Sequence, residues 1–256
     1  MGQAFPFSSI DTDLSGLKFP VTGCLVDTNF LIASTEELHP FYDDAKFLFE
    51  KLAEYKIPIF ATVTTRAEFI DFRRKSIITE VLLDMLAPTS KWKISNEVRR
   101  ILRAQKTWLD TQAAGDSVPI LTDRRIKSCK EYFMPKDHSG HIGWIAICRE
   151  YLQDQLLSAW DILVEQVGIN YIDMRDGINS DLIPEKLDWT KMYKISEETC
   201  LASGDAMLIN VLNSSKFSFI ASADFDIAYS VLGDSCNKVV LVPDNLHYKK
   251  IKGLRF

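Results

Sequence analysis

Short apolar runs, each closed by a carboxylate or a small polar residue, recur along this chain between stretches of helical period. The first, Cys24-Leu25-Val26, ends at Asp27, and apolar residues resume after Thr28-Asn29. A short run without polar alternation is the pattern of a parallel strand buried on both faces. The same pattern predicts strands at about 22–28, 57–63, 169–174, 217–222 and 238–242. Pro58 stands near the start of the second, where a missing N–H is tolerated.

Helical spacing fills the intervals. Phe41, Ala45, Leu48, Phe49 and Leu52 predict a helix over 38–56. A second should start at Thr64 or Thr65 and carry Glu68, Phe69 and Phe72. A third covers 197–213 with Asp205, Leu208, Ile209 and Leu212 on one stripe, and a fourth covers 225–232. Strand–helix alternation predicts an α/β fold with a parallel sheet. Residues 1–20 read as an extended arm and 175–195 as an irregular polar stretch.

From about 76 to 165 the period is almost wholly helical: Val81, Leu82, Met85 and Leu86, then Val98, Ile101, Leu102, Gln105 and Leu109, then Ile142 through Ala159. A loop-rich excursion, 111–140, lies inside this block. The organisation expected is an arm (1–20), a discontinuous sheet domain (21–75 and 168–256) and a helical insertion (76–167) packed on the same domain.

Composition adds limits. With 46% apolar and 25% charged residues the chain is of globular type. It has no run of 18 apolar residues, so no membrane helix is expected. The first residues lack a basic stretch followed by an apolar one, so no secretory signal is expected either. Five scattered cysteines without a CxxC pair point to reduced thiols in the cytoplasm. His138 and His141 stand three apart but have no evident third metal ligand, and two ordinary histidines are the simpler reading.

Charge is uneven. Between 91 and 136 there are eleven Lys/Arg against five Asp/Glu, a local excess of six. That leaves about −11 for the rest of a chain whose net charge is −5. Two surfaces with different partners would produce such an asymmetry, and so would ordinary solvated helix faces.

Four acids close predicted elements: Asp27 after the first strand, Glu68 after the second, Asp205 near a helix start and Asp224 after the fourth strand. Each has a structural explanation. Asp27 could cap a turn, Thr65-Arg66-Ala67-Glu68 spells a capping box, Asp205 suits a helix N-terminus, and Asp224 could be an N-cap. Their joint placement asks for more. In a doubly wound sheet, strand ends and helix starts converge on one crevice, where four carboxylates would repel. A divalent cation relieves that repulsion, and an oxygen-only donor set selects Mg²⁺ or Mn²⁺.

Val26-Asp27-Thr28-Asn29, Thr65-Arg66-Ala67-Glu68, Ser203-Gly204-Asp205-Ala206 and Ser222-Ala223-Asp224-Phe225-Asp226 together resemble the motif series of PIN-domain ribonucleases, a family that includes VapC-type toxins. The resemblance covers roughly 20–75 and 168–245 and leaves out the helical block. It implies a Rossmann-like three-layer PIN domain with a central five-stranded parallel sheet. It also implies a metal-dependent endoribonuclease whose Mg²⁺ or Mn²⁺ is held by Asp27, Glu68, Asp205 and Asp224. Thr28 or Asn29 would add hydroxyl or amide contacts to the first acid, and Asp226 matches a more variable accessory acid. In-line hydrolysis of RNA would leave a 5′-phosphate and a 3′-hydroxyl. The 136 residues between Glu68 and Asp205 depart from a compact toxin, so a toxin with an antitoxin partner and an RNA-processing enzyme both stay open, as does a homodimer. Arg99, Arg100, Arg103, Lys106, Arg124 and Arg125 could hold an RNA backbone. A non-catalytic RNA-binding or assembly module is the alternative. A phosphatase with Asp27 as nucleophile would want an acid where Asn29 stands.

Overall fold

A computed structural model describes residues 2–12, 22–90, 92–113, 118–133, 142–172, 181–185, 187–233 and 238–253. The chain divides into two compact units. One comprises Met1–Glu37, Phe41–Phe69 and Leu163–Phe256, and the other Leu38–Pro40 and Ile70–Ile162.

The first unit is α/β. Its strands are β1 (Gln3–Pro6), β2 (Cys24–Val26), β3 (Ile59–Ala61), β4 (Ile169–Tyr171), β5 (Phe219–Ala221) and β6 (Val239–Val242). They form one sheet in the order β1-β6-β5-β2-β3-β4, and every neighbouring pair is parallel. The sheet thus has six strands where the sequence pattern predicts five. The sixth is β1, from the segment expected to be an arm. It pairs only with β6, its residues are exposed or half-buried, and Pro6 closes it. A strand covered on one side and ending in proline at a sheet edge produces no apolar run.

The central strands show why the others were readable. All residues of β2, β5 and β6 are buried. Since alternate side chains point to opposite faces, both faces of the middle of the sheet are covered. One core gathers Leu25, Ile220 and Val240 with Leu208, Ile209, Leu212 and Val231 from helices.

Helices of this unit are α1 (Thr28–Thr35), α2 (Tyr42–Glu54), α8 (Trp189–Thr199), α9 (Ser203–Ser214) and α10 (Phe225–Gly233). Helix α1 was not predicted. Phe30, Leu31 and Ala33 are buried on different sides of it, which erases the helical period. The helix expected over 197–213 is two: α8 already runs through part of the stretch read as irregular, and Cys200 breaks it from α9 by adopting a left-handed backbone (φ 60°). Residues 175–180 and 186 of that stretch lie outside the described residues.

The second unit is helical: most of α3 (Val63–Asp84), then α4 (Asn96–Ala113), α5 (Asp123–Lys130), α6 (Trp144–Leu152) and the start of α7 (Gln155–Val167). Helix α3 is continuous where two pieces were expected. The helix expected over 142–159 is broken before α7, with Asp154 at φ 62°. Its core is separate, built from Ile78, Leu82, Met85, Leu102, Leu109, Leu121, Ile126 and Ile147. Buried Thr79 ties the chain into it, its hydroxyl accepting from the Leu121 N–H at 2.9 Å. His138 and His141 lie outside the described residues. Among the described residues, no helix is long and apolar enough to cross a membrane.

Candidate functional site

The strand order reverses at β2. From there the chain steps outward through β3 and β4, and later returns on the other side through β5 and β6. The crevice beyond the carboxyl ends of β2 and β5 is therefore a topological switch point, where open α/β sheets bind ligands. The residues immediately after those two strands are Asp27 and Ser222.

Asp27 is 3% exposed. Its backbone N–H donates to the Ala221 carbonyl at 3.1 Å, locking the end of β2 to β5. It is the N-cap of α1, with Oδ1 accepting from the Asn29 and Phe30 N–H groups, and Oδ2 accepts from the Ser222 hydroxyl. Burial nevertheless pushes this carboxyl up to about 7, against the pull of Ser222 and the Asn29 N–H, and nearby Asp224 adds to the push.

Asp224 caps α10, accepting from the Asp226 N–H at 2.8 Å, while its other oxygen accepts from the Asn29 side-chain amide at 2.9 Å. Glu68 lies on α3 and accepts from the Thr28 hydroxyl at 2.7 Å. Its carboxylate rests against the backbone of Gly204, so closely that a Cβ there would collide with Oε1. Glycine at the start of α9 is what lets Glu68 approach Asp205. Asp205, in the first turn of α9, is half-buried and pushed up to about 6, by burial first and then by Glu68, Asp224 and Asp226.

The structural explanations for Asp27 and Asp224 are thus realised, and the two acids still meet. The capping box at Thr65 is not. Thr62 occupies that role instead, its hydroxyl accepting from the Thr65 N–H at 3.2 Å while its carbonyl accepts from the Arg66 N–H. Glu68 is left to face Thr28. The contacts expected from Thr28 and Asn29 to Asp27 also differ: their side chains serve Glu68 and Asp224, and only the Asn29 backbone serves Asp27. Asp226 is exposed and acts on Asp205 through its charge.

Ser222 is the residue that sequence reasoning overlooked. It is fully buried, donates to Asp27 and accepts from the Asp224 N–H at 2.9 Å, and so joins the two central acids. Its signal was a hydroxyl closing an apolar strand two residues before an acid.

None of the four acids pairs with a Lys or Arg among the described residues. Nor do any three His, Cys, Asp or Glu side chains there converge into a ready metal cage. The chemistry of the donor set fits a hard cation all the same. It is all oxygen, two of its carboxyls are raised, and Mg²⁺ commonly keeps several waters and takes only one or two carboxylates. The residues that would hold it are Asp27, Glu68, Asp205 and Asp224.

The basic residues lie in the other unit. Arg99, Arg100, Arg103 and Lys106 are on α4, and Arg124 and Arg125 on α5. At about 100° per residue, Arg99, Arg103 and Lys106 fall roughly half a turn round α4 from Trp108, which lies under Arg125. The six residues therefore do not form one stripe. Lys106 is also bonded to Asp110 at 2.8 Å.

Comparison with protein-family models, with curated protein sequences and with solved structures returned no match.

Proposed function

We propose that this chain is a metal-dependent ribonuclease with a Rossmann-like, three-layer PIN-type sheet unit. The observation that carries the reading is the placement of Asp27, Glu68, Asp205 and Asp224 about the switch point, where Ser222 joins Asp27 to Asp224 and Glu68 rests against Gly204 beside Asp205. Burial first, and then neighbouring acids, raise the carboxyls of Asp27 and Asp205. Uncompensated carboxylates in one crevice are costly to a fold, and they persist where a ligand supplies the missing charge.

A cation bound there supplies positive charge for phosphoryl oxygens and an activated water. The chain's own residues do the positioning. Ser222 holds Asp27, Thr28 holds Glu68 and Asn29 holds Asp224, so three of the four acids are fixed by a partner from another loop or helix start. Two cation–aromatic pairs flank the row of strand ends: Arg66 over Tyr171 at 5.6 Å and Lys250 over Phe225 at 5.4 Å. Phe225 follows Asp224 directly, and its ring pairs with half-exposed Tyr229 at 5.9 Å. Cations interleaved with aromatic rings suit a single-stranded nucleic acid, which offers phosphates and stackable bases together.

The experiment is cleavage of single-stranded RNA by purified protein. Activity is expected with Mn²⁺ or Mg²⁺ and not in chelator, and Asp27→Asn should lower it about hundredfold or more. Undiminished cleavage by that variant would overturn the reading. A binding-only module is the second reading, favoured by the lack of a closed cage among the described residues. Such a protein would retard RNA and never cleave it.

A further inference from the structure

In the helical unit, α4 buries Val98, Leu102, Gln105 and Leu109. A glutamine in an otherwise apolar stripe needs a partner, and the Gln105 side-chain carbonyl accepts from Arg125 Nη1 at 2.7 Å. The same guanidinium lies over the Trp108 ring, its central carbon 3.9 Å from the centroid. Arg125 is thus fixed at two points, and a fixed planar fork loses little further freedom when it meets an anion.

Around it opens a cavity of about 450 Å³ lined by Gln105, Thr122, Arg124, Arg125 and Ser128. No carboxylate lines it among the described residues. The acid nearest in sequence, Asp123, is engaged by Arg74 and lies 3.8 Å from Lys75. Thr122 stands at the N-cap of α5, yet its hydroxyl makes no capping bond. Two guanidinium groups, two hydroxyls and an amide make a donor set for an anion with several oxygens, and the volume falls in the range of small-molecule sites.

We propose that this cavity binds the phosphate group of a nucleotide, with Arg125 as the pre-set fork and Arg124 as the second, exposed cation. A bare inorganic anion would leave most of the volume empty, whereas a nucleotide fills it. The phosphate can belong to a free nucleotide or to RNA. The site is independent of the carboxylate crevice, and neither claim needs the other.

The test is calorimetry on the full chain in chelator, so that cation-dependent cleavage plays no part, with adenosine 5′-monophosphate, adenosine, inorganic phosphate and a short RNA. The nucleotide is expected to bind at least about tenfold more tightly than the nucleoside. Arg125→Gln and Arg124→Gln should each weaken it about tenfold or more. Arg125→Lys, which keeps the charge and loses the fork, should weaken it too. Arg124 is exposed, so its substitution leaves packing intact and covers the case in which the Arg125 variants fail to fold. RNA that binds and is displaced by the nucleotide assigns the phosphate to RNA; RNA that does not bind assigns it to a free nucleotide. Equal binding of nucleotide and nucleoside, or wild-type affinity in folded Arg124→Gln protein, would overturn the site.

Discussion

The crevice acids of the sheet unit and three acids of the helical unit are compensated in opposite ways. In the helical unit Asp71, Asp123 and Asp110 are neutralised where they stand. Asp71 meets Arg74 and Lys75, Asp123 meets the same two cations, and Asp110 meets Lys106. In the sheet unit the four acids of the crevice meet hydroxyls, amides and one another and, among the described residues, no cation. Asp71, with its bases beside it, is held below the usual carboxylate range, while Asp27 and Asp205 are pushed above it. A tally of charges along the chain sees only an acidic part and a basic part. What separates the crevice acids from Asp71, Asp110 and Asp123 is whether the counter-charge is built in.

That contrast can be broken by titration, and the largest effect expected is on stability. The folded chain holds a proton on Asp27 up to about pH 7, whereas in the unfolded chain that carboxyl ionises near 4. The folded state therefore binds more protons between these values, and stability falls as pH rises through the window and levels off above it. The loss expected in chelator is on the order of 4 kcal/mol. It is to be read as the difference in urea unfolding between the native protein and Asp27→Asn at pH 4.5 and pH 7.5. A parallel pH dependence in the two proteins would mean that Asp27 is not a buried uncompensated charge.

Ser222→Ala sharpens the comparison. It removes the hydroxyl shared by Asp27 and the Asp224 N–H, leaving a buried group unpaired at a cost of about 1–3 kcal/mol. RNA cleavage should drop about tenfold to hundredfold, the usual result of losing a support behind a ligand. Gly204→Ala separates stability from function. The atom its Cβ would strike is the far end of the Glu68 side chain, which can swing away. Melting should change by less than about 1 kcal/mol, while cleavage should fall about tenfold if Glu68 is a ligand. The smallest effect belongs to the helical unit: Lys106→Ala breaks an exposed pair and should shift stability by less than about 0.5 kcal/mol.

Much of the sheet was legible because β2, β5 and β6 are buried on both faces, which writes an unbroken apolar run. The acids were legible because a charge ending such a run is conspicuous. β1 was not, since one covered edge and a proline leave no pattern. Nor was α1, where Phe30, Leu31 and Ala33 are buried all round. Ser222 and Gly204 escaped because small residues have no local signature, and their roles exist only through the acids that other elements bring to them. The Arg125–Trp108–Gln105 arrangement escaped for a related reason. Gln105 reads as part of a helical stripe until α5 is laid beside it.

The central claim is that the crevice acids await a cation, and titration of Mn²⁺ into the protein at pH 6.5, in buffers of differing ionisation enthalpy, tests it most directly. Wild-type protein should bind Mn²⁺ and release protons as Asp27 and Asp205 ionise, and Asp205→Asn should bind more weakly and release fewer. Equal Mn²⁺ affinity and equal proton release in the two proteins would contradict the account.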